Sequence, residues 1–160
     1  MSKARSLFME TTSIPAEKTA GEIVALLASS GARQIMMEYS DGQKLVGIRF
    51  TLEVSPGVIR AFKLPARIEP IVRLLNGRRK YTYDRANKLP QDTAQAERVA
   101  WRQLFRWCQA QLAMIDTGMV EAAEVFLPYL QDRSGNTLFE IMKTSGMKML
   151  SAGHEDALEP

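Results

Sequence analysis

Cysteine and histidine are nearly absent: Cys108 and His154 are the only ones in 160 residues. A disulfide framework is excluded, and so are His- and Cys-based metal sites and the usual nucleophile–base pairs. A lone thiol fits a reducing compartment. Phosphate-cradling glycine patterns (G-x-G-x-x-G, G-x-x-x-x-G-K-[ST]) are missing, as is the G-x-S-x-G nucleophile turn. No apolar run reaches the roughly 18–20 residues of a membrane span. Met1–Ser13 carries basic residues without a long apolar stretch, so no secretory signal is expected and the cytoplasm is the expected location. With 46% hydrophobic and 24% charged residues, the chain can bury a core unaided.

What is present is positive charge in one place. The net charge is +3, but it is unevenly spread. Residues 44–88 hold eleven basic side chains against three acidic ones, a local +8, flanked by −1 before and −4 after. A basic block inside a near-neutral chain suits a polyanion-binding surface. It equally suits a solvated face offset by the acidic last third.

Periodicity predicts an α+β fold. Pro15 opens a helix over 15–30, with Ala20, Ile23, Val24 and Leu27 on one face and Gly31 as its stop. Ile35, Met37 and Tyr39 alternate along a first strand. Asp41-Gly42 reads as a hairpin turn in which glycine takes the positive φ. Val46, Ile48, Phe50, Leu52 and Val54 give the clearest alternation, Ser55-Pro56-Gly57 a second turn, and 58–64 a third strand. The expectation is a three-stranded antiparallel meander with one face on the core. Pro65 should open the next helix and Asn76-Gly77 end it.

Residues 77–90 read as a basic, aromatic loop without period, and 92–117 as the longest helix, striped by Trp101, Leu104, Cys108, Leu112 and Ile115. Trp107 falls about 240° around the helix from Trp101. Met119–Leu127 continues to Pro128, which should end or kink it. Thr137 and Glu140 match a capping box opening a last helix. Residues 1–14 and 146–160 are expected to be flexible ends of a single domain over 15–145.

Side chains for chemistry are few. Cys108 lies on the apolar stripe and is expected to be buried. His154 sits in the acidic tail with no partner in view. The nine methionines suit gap-filling. Glu97, Glu121 and Glu124 lack the Glu-x-x-His partner of a carboxylate metal site. No catalytic residue, metal or cofactor is therefore assigned. Arg98, Arg102 and Arg106 stack at i, i+4, i+8, where like charges repel. Such a row has an anion opposite it: either a ligand, or an internal acid such as Glu121 or Glu124 folding back. Arg49 points away from the Ile48/Phe50 face. Only one of Arg60 and Lys63 can share its side. Arg78, Arg79 and Lys80 with Tyr81 and Tyr83 join phosphate-binding cations to rings that can stack on bases.

Two resemblances complete the reading. The α-β-β-β-α order over 15–77 is similar to that of a double-stranded-RNA-binding domain in order alone, because Pro65-Ala66-Arg67-Ile68-Glu69-Pro70 lacks that family's lysine cluster. Phe62-Lys63-Leu64-Pro65, Gln95-Ala96-Glu97-Arg98-Val99-Ala100-Trp101-Arg102 and Glu124-Val125-Phe126-Leu127-Pro128-Tyr129 resemble a family of small uncharacterised proteins of phages, prophages and other mobile elements. That resemblance implies an accessory protein in a bacterial host cell and brings no activity with it. The expected function is non-enzymatic nucleic-acid binding, DNA ahead of RNA, through Arg49, Arg78, Arg79, Lys80, Arg98, Arg102 and Arg106. Tyr81 and Tyr83 would stack on bases. The alternatives are a counter-defence protein, as a homo-oligomer, that holds a nucleotide signal in an arginine-lined pocket, and an inhibitor that binds a host defence enzyme.

Overall fold

The structure, a computed structural model, describes residues 5–79 and 93–147. The architecture is α+β: helix α1 (Ala16–Ser29), strands β1 (Arg33–Tyr39), β2 (Leu45–Ser55) and β3 (Val58–Pro65), and helix α2 (Glu69–Arg79) come first. The long helix α3 (Thr93–Asp116), the short α4 (Ala122–Phe126), a 3-10 turn (Leu127–Tyr129) and α5 (Leu138–Thr144) follow.

Local chemistry sets most boundaries. Pro15 stands just before α1, and the helix ends in a Schellman motif. Gly31 takes φ +91°, its N–H donates to the Ala28 carbonyl at 3.2 Å, and the Ala32 N–H donates to Leu27 at 2.9 Å. The β2–β3 turn uses Pro56 then Gly57 at φ +75°, the pair a type II turn requires. The β1–β2 turn departs from expectation: the positive φ falls on Gln43 (+57°), not on Gly42. The loop is three residues long, closed by Gln43 N–H to Ser40 O and Ser40 N–H to Lys44 O, both 2.8 Å. In such a loop the left-handed residue is the last one.

The sheet is antiparallel in the order β1-β2-β3. Ile48 opposes Leu64 and Phe50 opposes Phe62, so the even-numbered residues of β2 and β3 share the core face. α1 and α3 cover that face, contributing Ala20, Ile23, Leu27, Trp101, Phe105, Cys108 and Leu112 to one cluster. Phe126 closes it from α4, with ring centroids 5.3 Å from Phe50 and 5.8 Å from Phe62. Each such aromatic pair adds about 0.5–1.5 kcal/mol beyond its buried area. Burial pushes the Cys108 thiol up to about 12, so it stays neutral and acts as a small apolar group.

α2 corrects the sequence reading at both ends. Pro65 does not open it. Instead Pro65 pairs with Gly47 at the end of β3, and the Ala66 N–H extends the ladder to Val46 O at 2.9 Å. The helix begins at Glu69, with Pro70 in its first turn, where a missing N–H costs nothing. Nor do Asn76-Gly77 stop it: Gly77 has no positive φ, and the helix continues to Arg79. In Met119–Leu127 the α-helix is confined to Ala122–Phe126, and Pro128 lies in the 3-10 turn that follows. The capping box on α5 is present in full. Glu140 N–H donates to Thr137 Oγ1 at 3.2 Å, and Thr137 N–H to Glu140 Oε2 at 2.7 Å.

Candidate nucleic-acid interface

The cations singled out from sequence divide by where the fold puts them. Arg49 stands on the outer face of the sheet, opposite Lys63. One carboxylate, Glu38 of β1, serves both: it lies against Arg49 Nε and 3.3 Å from Lys63 Nζ. Two cations thus share this one acid.

Arg78 is tied to the N-terminal segment. It donates to the Glu10 carboxylate at 2.9 Å and to the Arg5 carbonyl. Glu10 also accepts from the Leu7 N–H at 2.9 Å. That backbone bond first, then Arg78, holds its carboxyl below the usual carboxylate range. The same segment is clasped by α3: Gln95 donates to the carbonyls of Glu10 (2.7 Å) and Thr12 (3.0 Å), and Gln103 to that of Phe8 (2.8 Å).

Of the α3 arginine row, Arg102 is withdrawn into the protein. It is ion-paired with Glu22 of α1, and its guanidinium lies 4.4 Å from the Phe105 ring centroid. The internal acid is thus Glu22, not Glu121 or Glu124. Arg98 donates to Gln95 Oε1 at 2.9 Å, one turn back on the same helix. Arg106 alone of the three is exposed, lying over Phe105 at 5.6 Å and donating to Gln109 at 3.0 Å. Arg79 is the last residue of α2, whereas Lys80, Tyr81, Tyr83 and His154 lie outside the described residues.

Sequence reasoning missed Arg67 and Arg73. Arg67 is exposed between β3 and α2, its guanidinium 5.4 Å from the Phe139 ring centroid. Arg73 pairs with Glu69 at 3.4 Å, but both side chains are more than two-thirds exposed, and such pairs hold their members weakly. Arg60, also exposed, bonds only the neighbouring Ile59 carbonyl at 2.9 Å. Membership of the basic block was the one signal that could have found them.

Beside Arg67 lies a cleft of about 360 Å³ between α2, α3 and the 3-10 turn, walled by Pro65, Ile71, Leu104, Trp107 and Tyr129. Trp107, far from the Trp101 stripe, packs edge-on against Tyr129 (5.5 Å) and Phe126 (6.0 Å), extending the core to the cleft. Among the described residues no three His, Cys, Asp or Glu side chains are grouped to hold a metal ion, and no helix is long and apolar enough to cross a membrane. No protein family, curated protein or solved structure matches the chain.

Proposed function

We propose that this is a non-enzymatic nucleic-acid-binding protein whose interface is the β3–α2 surface. One observation carries the reading: Arg67 and Arg73 of this surface stay exposed and Arg49 and Lys63 divide Glu38 between them, while Arg78, Arg98 and Arg102 are held by internal partners. By sequence alone, residues 80–92 carry Lys80, Arg85 and Lys88 against Asp84 and Asp92. Exposed Arg and Lys bind phosphate chiefly by releasing counterions, so affinity should fall steeply with salt. The mobile-element setting rests on the resemblance of the three sequence blocks, and DNA is the polymer to try first.

Fluorescence anisotropy of labelled DNA against salt concentration tests this. Arg67→Ala with Arg73→Ala should weaken binding and flatten the logarithmic salt slope by about one for each phosphate that is no longer neutralised. Arg98→Ala should leave the slope alone. An unchanged slope in the double variant would remove this surface from the interface.

A further inference from the structure

The cleft beside Arg67 joins a cation to aromatic walls. Its walls include aromatic and aliphatic side chains, and beside the Trp107 indole and the Tyr129 hydroxyl its polar side chains are Arg67 and Gln103. The Gln103 amide nitrogen is engaged by the Phe8 carbonyl, which orients the side chain and leaves its oxygen to accept from another donor. Arg67 is steadied over Phe139. The acid of that neighbourhood, Glu140, is committed to the Thr137 cap, which with the positive charges of Lys63 and Arg67 keeps it ionised. A volume near 360 Å³ lies at the small end of ligand clefts. It suits one flat ring rather than a polymer groove.

We propose that this cleft receives a single unpaired base, with Arg67 on the adjoining phosphate, so that the protein prefers single strands to duplex. The proposal rests on the nucleic-acid reading above and deepens it. The physical reason is access: a base inside a duplex is stacked on both faces and cannot enter a cleft, whereas an unpaired base exchanges water for the Trp107, Leu104 and Ile71 walls. Arg67 then contributes charge at the mouth, where phosphate stays in solvent. The recess that Arg98 of the α3 row borders is smaller, about 220 Å³, and is lined by Glu17 and Glu97, which repel phosphate.

The test uses the whole chain with a labelled oligothymidine, alone and annealed to oligodeoxyadenosine, at equal salt. Anisotropy and tryptophan emission are followed together. Trp101 is fully buried and Trp107 partly so, so a base entering the cleft reports mainly through Trp107. The expected result is about tenfold tighter binding of the single strand, the size one base–ring contact supplies. Quenching should follow the same isotherm. Arg67→Glu, an exposed change that leaves the core intact, should weaken single-strand binding about tenfold or more. Trp107→Phe should keep the fold and abolish the quench. Binding without quenching, or equal affinity for duplex, would overturn the cleft while leaving the general nucleic-acid reading in place. No binding of either polymer at low salt would overturn both.

Discussion

The α1–α3 side and the β3–α2 side both carry arginines, yet they use them in opposite ways. On the first, Arg102 is sunk between helices, paired with Glu22 and stacked on Phe105. Its charge is neutralised by a residue eighty positions away. On the second, Arg67 and Arg73 sit on the surface, their contacts either weak or local. Among the residues of α2 whose burial is described, Val72 alone is buried, whereas α3 buries eight residues. Burial decides the role. A cation taken out of water must be matched within the protein or it destabilises the fold. One left in water stays available to an outside anion.

That contrast can be broken at its strongest point first. Trp101 is fully enclosed on the α1–α3 side, so Trp101→Ala should cost about 3–5 kcal/mol in denaturant unfolding. Leu74→Ala on the exposed face of α2 should stay within about 0.5 kcal/mol. Similar costs for the two would mean that α2 is as deeply integrated as α3.

A smaller effect is expected at the ion pair. Glu22→Ala strands the largely buried Arg102 and should cost about 1–3 kcal/mol, less than a fully buried pair would because Glu22 is about one-third exposed. Arg73→Ala, which breaks an exposed pair, should be nearly silent in the same unfolding experiment. If Glu22→Ala proves equally silent, the division of the arginines into structural and available ones fails.

The smallest effect sharpens the boundary between the two sides, where α5 leans toward Lys63 and Arg67. Thr137→Ala should cost about 1 kcal/mol by removing the cap of α5. Glu140 is held below its ordinary value of 4.5, first by the Thr137 backbone N–H. Its contribution is therefore fully present above that value and is lost as pH falls through the lower folded one. Stability measured down an acid series should show Glu140→Gln converging on the parent chain at the acid end. A constant gap between them at every pH would show that ionisation of Glu140 plays no part.

The local elements were written in the sequence because their causes are local. Gly31 ends α1, Pro56-Gly57 turns β2 into β3, Thr137 and Glu140 cap α5, and the alternation of Ile48, Phe50 and Leu52 turns one sheet face inward. Each depends on residues within a few positions of one another. Where a local signal misled, a neighbour in space had overruled it: Pro65 reads as a helix opener, but its pairing with Gly47 keeps it in the sheet.

The choice of side chains available for binding was not local and could not be read the same way. Sequence supplied the basic block of 44–88, the i, i+4, i+8 row on α3 and the outward parity of Arg49. Only the tertiary structure brought Glu10 to Arg78, Glu22 to Arg102 and Glu38 between Arg49 and Lys63. Only it set Trp107 and Tyr129 beside Arg67 as the walls of one cleft. Periodicity tells which face of an element a residue occupies. Which acid or ring meets that face depends on how distant elements pack, and here that packing separates arginines that stabilise the fold from those that can meet a partner.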